Sequence, residues 1–377
     1  MNGRFPALLL VGALLTACAA RETVTPASNA ARTVTQSQLD SLPALAVTDG
    51  GRVCVANGRD LCPLEAGIAN WIGDDRFAMW EPGRAIGAWK LGDTVPVAIG
   101  ALGTKVGEYQ NPSAIGGGSG SDLLVVDAQT QSLLRYDRNG KFLGSKALPK
   151  LFGITAWGFV GKYALLQRVF AKDSVTPATL EIKVLSSAGD TAGRVALTTT
   201  IPWLHLNDDA VSAALPLFPI QPVYAVAADG TLVWSAADRL TLQAVAPSGA
   251  TRWSISSELT GPPIDTAQVR GRREALAQQA VPQIDLDSMT ARTPATAAAI
   301  TGILIDRDGR VMIGRATATA SDSSQYLFFS RDGAPLARLS LGARVHPLLL
   351  TGDSLLVHRP TEGEPWEVRW LLLSKVP

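Results

Sequence analysis

The chain has 377 residues, 34 Lys and Arg against 33 Asp and Glu, and is 46% hydrophobic. That length is ample for a large buried core in one or two domains, and the near-neutral balance gives no bulk attraction for nucleic acid. Only three histidines are available for general-base or metal chemistry, and no cofactor-binding motif stands out, so no cofactor is expected.

At the start, Arg4 precedes an apolar run from Leu8 to Leu15. A run of about 8 residues falls far short of the ~20 that a membrane-spanning helix needs. The run closes on Leu14-Leu15-Thr16-Ala17-Cys18, which resembles the lipobox of bacterial lipoproteins. The resemblance implies that residues 1–17 are a cleaved signal peptide and that Cys18 carries diacylglycerol and an N-acyl chain. Several acyl chains, at ~0.8 kcal/mol per buried CH2, anchor a protein stably. The membrane is thus the first expected partner, through Cys18, and the cell envelope the expected location. Ala19, at the position where enteric bacteria retain Asp-bearing lipoproteins on the inner membrane, implies the outer membrane. Residues 18–40 are rich in Thr, Ala, Ser and Gln without a hydrophobic period, and are expected to be a lipid-anchored flexible tether. No later apolar run approaches a spanning length, so residues 41–377 are expected to form a soluble body.

Cys54 and Cys62 flank Val55-Ala56-Asn57-Gly58-Arg59-Asp60-Leu61. An even pair at short separation in an exported chain favours a disulfide across a hairpin turn. Such a bridge requires an odd-length turn centred on Gly58, because a two-residue Asn-Gly loop leaves the cysteines one position out of register. Free thiols and a half-filled zinc site are the alternatives.

Further on, short apolar runs alternate with Asp, Asn and Gly turns. Residues 112–145 give four such runs, with a turn at Arg138-Asn139-Gly140. The same grammar returns over 223–255, with turns at Asp229-Gly230 and Ser248-Gly249, and over 300–340, with turns at Asp308-Gly309 and Asp332-Gly333. Weaker copies lie at Trp71 to Trp89, Trp157 to Leu185 and His346 to Leu373. Six strand-and-turn units at a scale of ~40 residues predict a six-bladed β-propeller. Residues 44–56 are expected to pair into the last blade and close the ring, removing its open edges. A helical insertion is expected over 258–298, its helix running from Asp265 to Ala280 ahead of Pro282.

The segment from Ile99 through Gly100, Gly103, Gly107, Tyr109 and Pro112, followed by Val125-Val126-Asp127 and Leu133 to Gly140, resembles an NHL-type propeller blade. The match is good over residues 99–145 and loose elsewhere. It implies an all-β, six-bladed fold, which hosts ligand binders, protein-interaction modules and a few lyases. An all-β sandwich with a helical insertion is the alternative.

Several stretches imitate catalytic motifs. Gly352-Asp353-Ser354-Leu355, with His358 behind it, spells an esterase signature, but apolar strands flank it, so a hairpin turn is expected. Gly116 to Gly120 precedes a strand rather than a helix and reads as a turn, not a phosphate loop. Asp306-Arg307-Asp308-Gly309 lacks the later ligands of a calcium loop. His205 is followed by Asn207, Asp208 and Asp209, three oxygen donors near one imidazole. The two carboxylates precede Ala210 to Leu215, a position better suited to capping a helix than to binding a metal. Arg270, Arg272 and Arg273 are expected on a solvated face of the inserted helix, and most of the nine Trp between blades.

These readings favour a non-catalytic scaffold that binds an envelope protein or a small molecule, with no role in binding nucleic acid. The alternative is a propeller enzyme of lactonase or lyase type that uses polar residues at the channel mouth. If a ligand face exists, it is expected on the loops after the second strand of each blade, with Asp127, Arg135, Asp238 and Arg315 as candidates; salt bridges between blades are the other reading of the same four.

Overall fold

The computed structural model describes residues 30–55, 61–63, 68–73, 75–81, 83–117, 122–151, 154–160, 163–172, 176–185, 193–201, 204, 216–279, 281–316, 323–361 and 364–375. Cys18, the Asn57-Gly58 turn and the 205–209 stretch lie outside these residues.

Strand β1 (Ala30–Thr33), helix α1 (Gln36–Asp40) and strand β2 (Leu45–Val55) come first. Blade 1 follows as β3 (Ile68–Trp71), β4 (Arg76–Trp80), β5 (Ile86–Lys90) and β6 (Val97–Ile99). Blade 2 is β7 (Pro112–Gly117), β8 (Leu123–Asp127), β9 (Ser132–Tyr136) and β10 (Phe142–Ala147). Blade 3 is β11 (Ile154–Val160), β12 (Tyr163–Phe170), β13 (Ala178–Leu185) and β14 (Arg194–Ile201). Blade 4 is β15 (Val223–Val226), β16 (Leu232–Ser235), β17 (Leu242–Val245) and β18 (Thr251–Ser256). Helices α2 (Thr266–Gln278) and α3 (Gln283–Ala291) separate it from blade 5: β19 (Ile300–Ile305), β20 (Val311–Arg315), β21 (Ser323–Phe329) and β22 (Pro335–Gly342). Blade 6 is β23 (His346–Thr351), β24 (Ser354–Thr361) and β25 (Glu364–Lys375), completed by β2.

Each blade is an antiparallel meander, and the chain is a six-bladed β-propeller. β2 pairs antiparallel with β25 from Leu45↔Lys375 to Val55↔Glu367, so the start of the body closes the ring on its end, as expected. Among the described residues six apolar clusters make up the core, each between two neighbouring blades. Ile86, Ile99, Ile115 and Val125 join blades 1 and 2, while Phe77, Trp89, Leu356 and Trp370 join blades 6 and 1. Alternation along each strand sends one set of side chains to each neighbour, so every blade is buried on both faces.

The turn glycines follow one geometry. At Gly140, Gly230, Gly249, Gly309 and Gly333 the φ angle lies between 76° and 84°, and each N–H donates to the carbonyl three residues back. A side chain is disfavoured in that left-handed region. At Gly140 an added Cβ would also fall 2.0 Å from the Ala98 carbonyl oxygen.

Two expectations need correction. The tether does not extend to residue 40. β1 lies parallel to β18 as a fifth strand of blade 4, and α1 is fixed by a capping box between Thr35 and Gln38, with Leu39 1% exposed in the core between blades 4 and 5. The insertion also holds two helices rather than one. Asp265 caps α2 as expected, but Pro282 is the N-cap of α3 instead of a stop signal. Arg273 joins the pair by donating to Leu286 O and Thr290 Oγ1 and pairing with Asp287, whereas Arg270 and Arg272 are exposed. No described helix is long and apolar enough to cross a membrane.

Cys54 and Cys62 form the expected disulfide, with Cα atoms 5.9 Å apart. Gly352 and Asp353 form the tight turn between β23 and β24, where Thr351 pairs with Ser354.

Candidate functional site

The innermost strands β3, β7, β11, β15, β19 and β23 surround a cavity of about 830 Å³. Its walls are mainly apolar, with Ile115, Trp157, Phe159 and Ile303 among them. Inside it, Asn70 Nδ2 donates to Ile115 O and Phe159 O, 2.8 Å each, and so ties blade 1 to blades 2 and 3. Tyr224, also in the wall, donates its hydroxyl to Gln167 Oε1 at 2.5 Å; burial pushes the phenol up to about 12.

The lining includes turns that join first to second strands, at Ile72, Gly73 and Asp75 in blade 1, Ala228 in blade 4 and Asp306 with Arg307 in blade 5. The mouth therefore sits at the end of the disc that carries these turns. Guanidiniums gather there around the Gly73 turn. Arg307 crosses from blade 5 to donate to Gly73 O and stacks 4.0 Å from the centre of the Trp71 ring. Arg76 Nη1 donates to Arg138 O at 2.7 Å. Of the carboxylates in the lining, Asp75 faces Lys90 at 3.8 Å and Asp306 pairs with Arg310 at 3.1 Å. Asp306 also accepts the N–H groups of Asp308 and Arg310, the turn expected in place of a calcium loop. Burial still holds its carboxyl above the usual range, against those donors.

A smaller cleft of about 310 Å³ lies between blades 4 and 5 and shares Arg307 and Ile305 with the channel. Arg252 and Arg331 both reach Asp229 Oδ2, at 2.8 and 3.0 Å. Burial would raise that carboxyl, but hydrogen bonds from Thr231 and Arg252 outweigh it and bring it down to about 2.

The four candidates read from the sequence do not converge. Asp127, 1% exposed, accepts from the N–H groups of Gln110, Asn111 and Gln129 and from the Thr130 hydroxyl. Burial would raise it, yet these donors hold it below its ordinary value. It pins the glycine-rich lead to blade 2. Arg135 pairs with Asp122, Asp238 is exposed and accepts from the N–H of Arg239, and Arg315 holds Gln36 of α1 at 2.6 Å. None of the four lines either cavity. The loops after the second strands lie at the other end of the disc, because antiparallel strands alternate the two ends. Sequence reasoning missed Arg76, Arg138 and Arg307, which come from three blades and line one channel only in the assembled ring. Among the described residues, no three His, Cys, Asp or Glu side chains are grouped to hold a metal ion.

Fold and cavity together define a six-bladed β-propeller with an apolar central channel and guanidinium groups at its mouth. No family model matches the chain, and no curated protein matches it. Among solved structures, it is similar to a member of the duf4221 family from Bacteroides vulgatus, 8% identical at TM-score 0.46, over 89% of this chain and 100% of that one. It is also similar to a catalytically inactive virginiamycin B lyase from Staphylococcus aureus with quinupristin, 9% identical at TM-score 0.42, over 88% and 100%. A third is the calcium-binding protein regucalcin from Agrobacterium tumefaciens, 13% identical at TM-score 0.38, over 92% and 98%. At these values none of the likenesses bears on activity, and the six blades rest on the sheet topology itself.

Proposed function

We propose that this protein is a lipid-anchored binding module of the cell envelope, held on a membrane through Cys18, whose propeller takes a small ligand in its central channel. The observation that carries the binding reading is the channel itself. Its volume of about 830 Å³ falls within the ~300–1,000 Å³ of small-molecule sites, which are typically apolar with a few placed polar groups. The channel carboxylates Asp75 and Asp306 are each engaged with a basic residue, which favours binding over general-base chemistry there. The anchoring half rests on the Leu14 to Cys18 sequence.

Each half has its own test. Feeding cells an alkyne-bearing fatty acid should label the protein and lose the label in Cys18→Ser; equal labelling of the two sinks the anchor. For the channel, Gly158→Leu adds bulk to the wall where a Cβ would meet nothing nearer than Leu165 at 3.7 Å. Calorimetric titration with an apolar probe should give binding that this variant weakens. An unchanged affinity would place the probe elsewhere.

A further inference from the structure

The cleft of about 310 Å³ between blades 4 and 5 presents both signs of charge beside apolar surface from Val233, Trp253 and Ile305. Arg252 and Arg331 converge on Oδ2 of Asp229. That contact takes one N–H of each guanidinium, and a guanidinium carries five. Asp229 is itself fixed by accepting from the Thr231 N–H, so it holds the two guanidiniums side by side while their side chains stay 34% and 61% exposed. Arg331 passes over Gly309, where an added Cβ would lie 3.0 Å from its Cγ. Next to that glycine, Asp308 is exposed and lines the same cleft. Arg307, engaged with Gly73 O, serves as wall.

The N-terminal segment joins the body at this cleft. β1 runs parallel to β18 with Ala30 opposite Trp253, and paired strands lie ~4.8 Å apart, so Ala30 sits against a residue of the cleft wall. Ala30 is twelve positions after Cys18, and at ~3.5 Å per residue a chain of that length reaches at most about 40 Å. We propose that the cleft binds the headgroup of a zwitterionic phospholipid, in which Arg252 and Arg331 take the phosphate and Asp308 takes the ammonium. Guanidiniums pair with phosphate oxygens through charge-assisted, often bidentate hydrogen bonds. The ammonium meets the carboxylate that would repel a purely anionic group. This site goes beyond the channel reading: its chemistry stands on the cleft alone, and lipid as the source of the headgroup rests on the Cys18 anchor.

Calorimetric titration of the full chain with glycerophosphoethanolamine, glycerophosphoglycerol and ethanolamine tests the chemistry. The first should bind about tenfold more tightly than either of the others, and rising ionic strength should weaken it. Arg331→Gln should cut that affinity about tenfold, and Asp308→Asn should bring it level with glycerophosphoglycerol, with circular dichroism confirming that both variants remain folded. No binding of glycerophosphoethanolamine, equal binding of either other probe, an affinity untouched by Arg331→Gln, or a preference untouched by Asp308→Asn overturns the proposal. Should a variant fail to fold, the comparison of the three probes on the wild-type chain decides by itself. The source of the headgroup is read from hydrogen exchange at the Thr231 and Gly309 amides, with the chain on vesicles of a phosphate-free glycolipid, with and without phosphatidylethanolamine. Added protection with phosphatidylethanolamine is expected. Unchanged protection, while the soluble headgroup still binds, assigns the cleft to a free phosphate ester and overturns the lipid source. A chain that binds the soluble headgroup yet takes up no fatty acid at Cys18 refutes the anchor and the lipid source with it, and leaves the cleft chemistry supported.

Discussion

Replacing Leu39 by Ala tests whether residues 30–40 belong to the folded body. Leu39 is 1% exposed and sits in the core between blades 4 and 5 with Val34, Leu240 and Phe329. Buried Leu→Ala changes cost ~2–5 kcal/mol, through lost transfer free energy and the cavity left behind. The segment is terminal, so part of the loss can be relieved by undocking β1 and α1 without opening the blades. That route forfeits the four-residue register between β1 and β18, the bond from Val34 N to Ser256 O at 3.0 Å and the Arg315 contact to Gln36. A drop of about 2–3 kcal/mol in urea unfolding is therefore expected, together with loss of hydrogen-exchange protection at the Val34, Leu39 and Ser41 amides. Ser37→Ala, on the exposed side of α1, is the control and should stay within ~0.5 kcal/mol. If Leu39→Ala matches that control in both measurements, the segment is not docked and the reasoning fails.

Other outcomes follow from the same geometry. Removing the disulfide with Cys54→Ala and Cys62→Ala should cost roughly 2.5 kcal/mol, the chain-entropy value for a loop of about nine residues, measured by urea unfolding; a loss under ~0.5 kcal/mol would show that the bridge adds nothing. Asp229 has its carboxyl lowered to about 2 from 3.8, so the folded state favours the ionised form. Its contribution is present above the unfolded value and is lost as pH falls from about 4 through 2; after discounting for partial exposure it is worth ~1 kcal/mol. Asp229→Asn should flatten that part of the stability-versus-pH curve, and an identical slope in the variant would refute the assignment. Asn70→Ala removes two 2.8 Å bonds that link three blades. Because the freed carbonyls border a cavity that water can enter, the expected cost is ~1–3 kcal/mol, near the net value of two hydrogen bonds, and no change in thermal unfolding would contradict that role.

Much of the ring was legible because its turns are local. Each Asp-Gly or Asn-Gly pair announces a left-handed position, and Gly140, Gly230, Gly309 and Gly333 all adopt it. The Cys54–Cys62 bridge was legible for the same reason, as both partners lie on one short segment. β1 was not, because Ala30-Ala31-Arg32-Thr33 has no apolar alternation and becomes a strand only by pairing with the edge of β18. A signal for α1 was nonetheless present: Thr35 followed by Gln38 is a capping box, and Leu39 supplies the single apolar anchor. Pro282 misled because proline marks both helix ends and helix starts. The channel mouth could not be read at all, since Arg76, Arg138 and Arg307 are separated in sequence by more than any local pattern spans, and the apolar walls look like ordinary core.

The parallel pairing of β1 with β18 has a mechanical consequence. The four register pairs from Ala30↔Trp253 to Thr33↔Ser256 succeed one another along the strand axis, so a pull directed along β1 from its N-terminal end loads them together, in shear, rather than peeling them one by one. The closing seam between β2 and β25 lies further along the chain, behind α1 and its buried Leu39. Blade 4 thus takes up a pull before the seam that holds the ring shut feels it, and the edge strand acts as a strain relief for the closure.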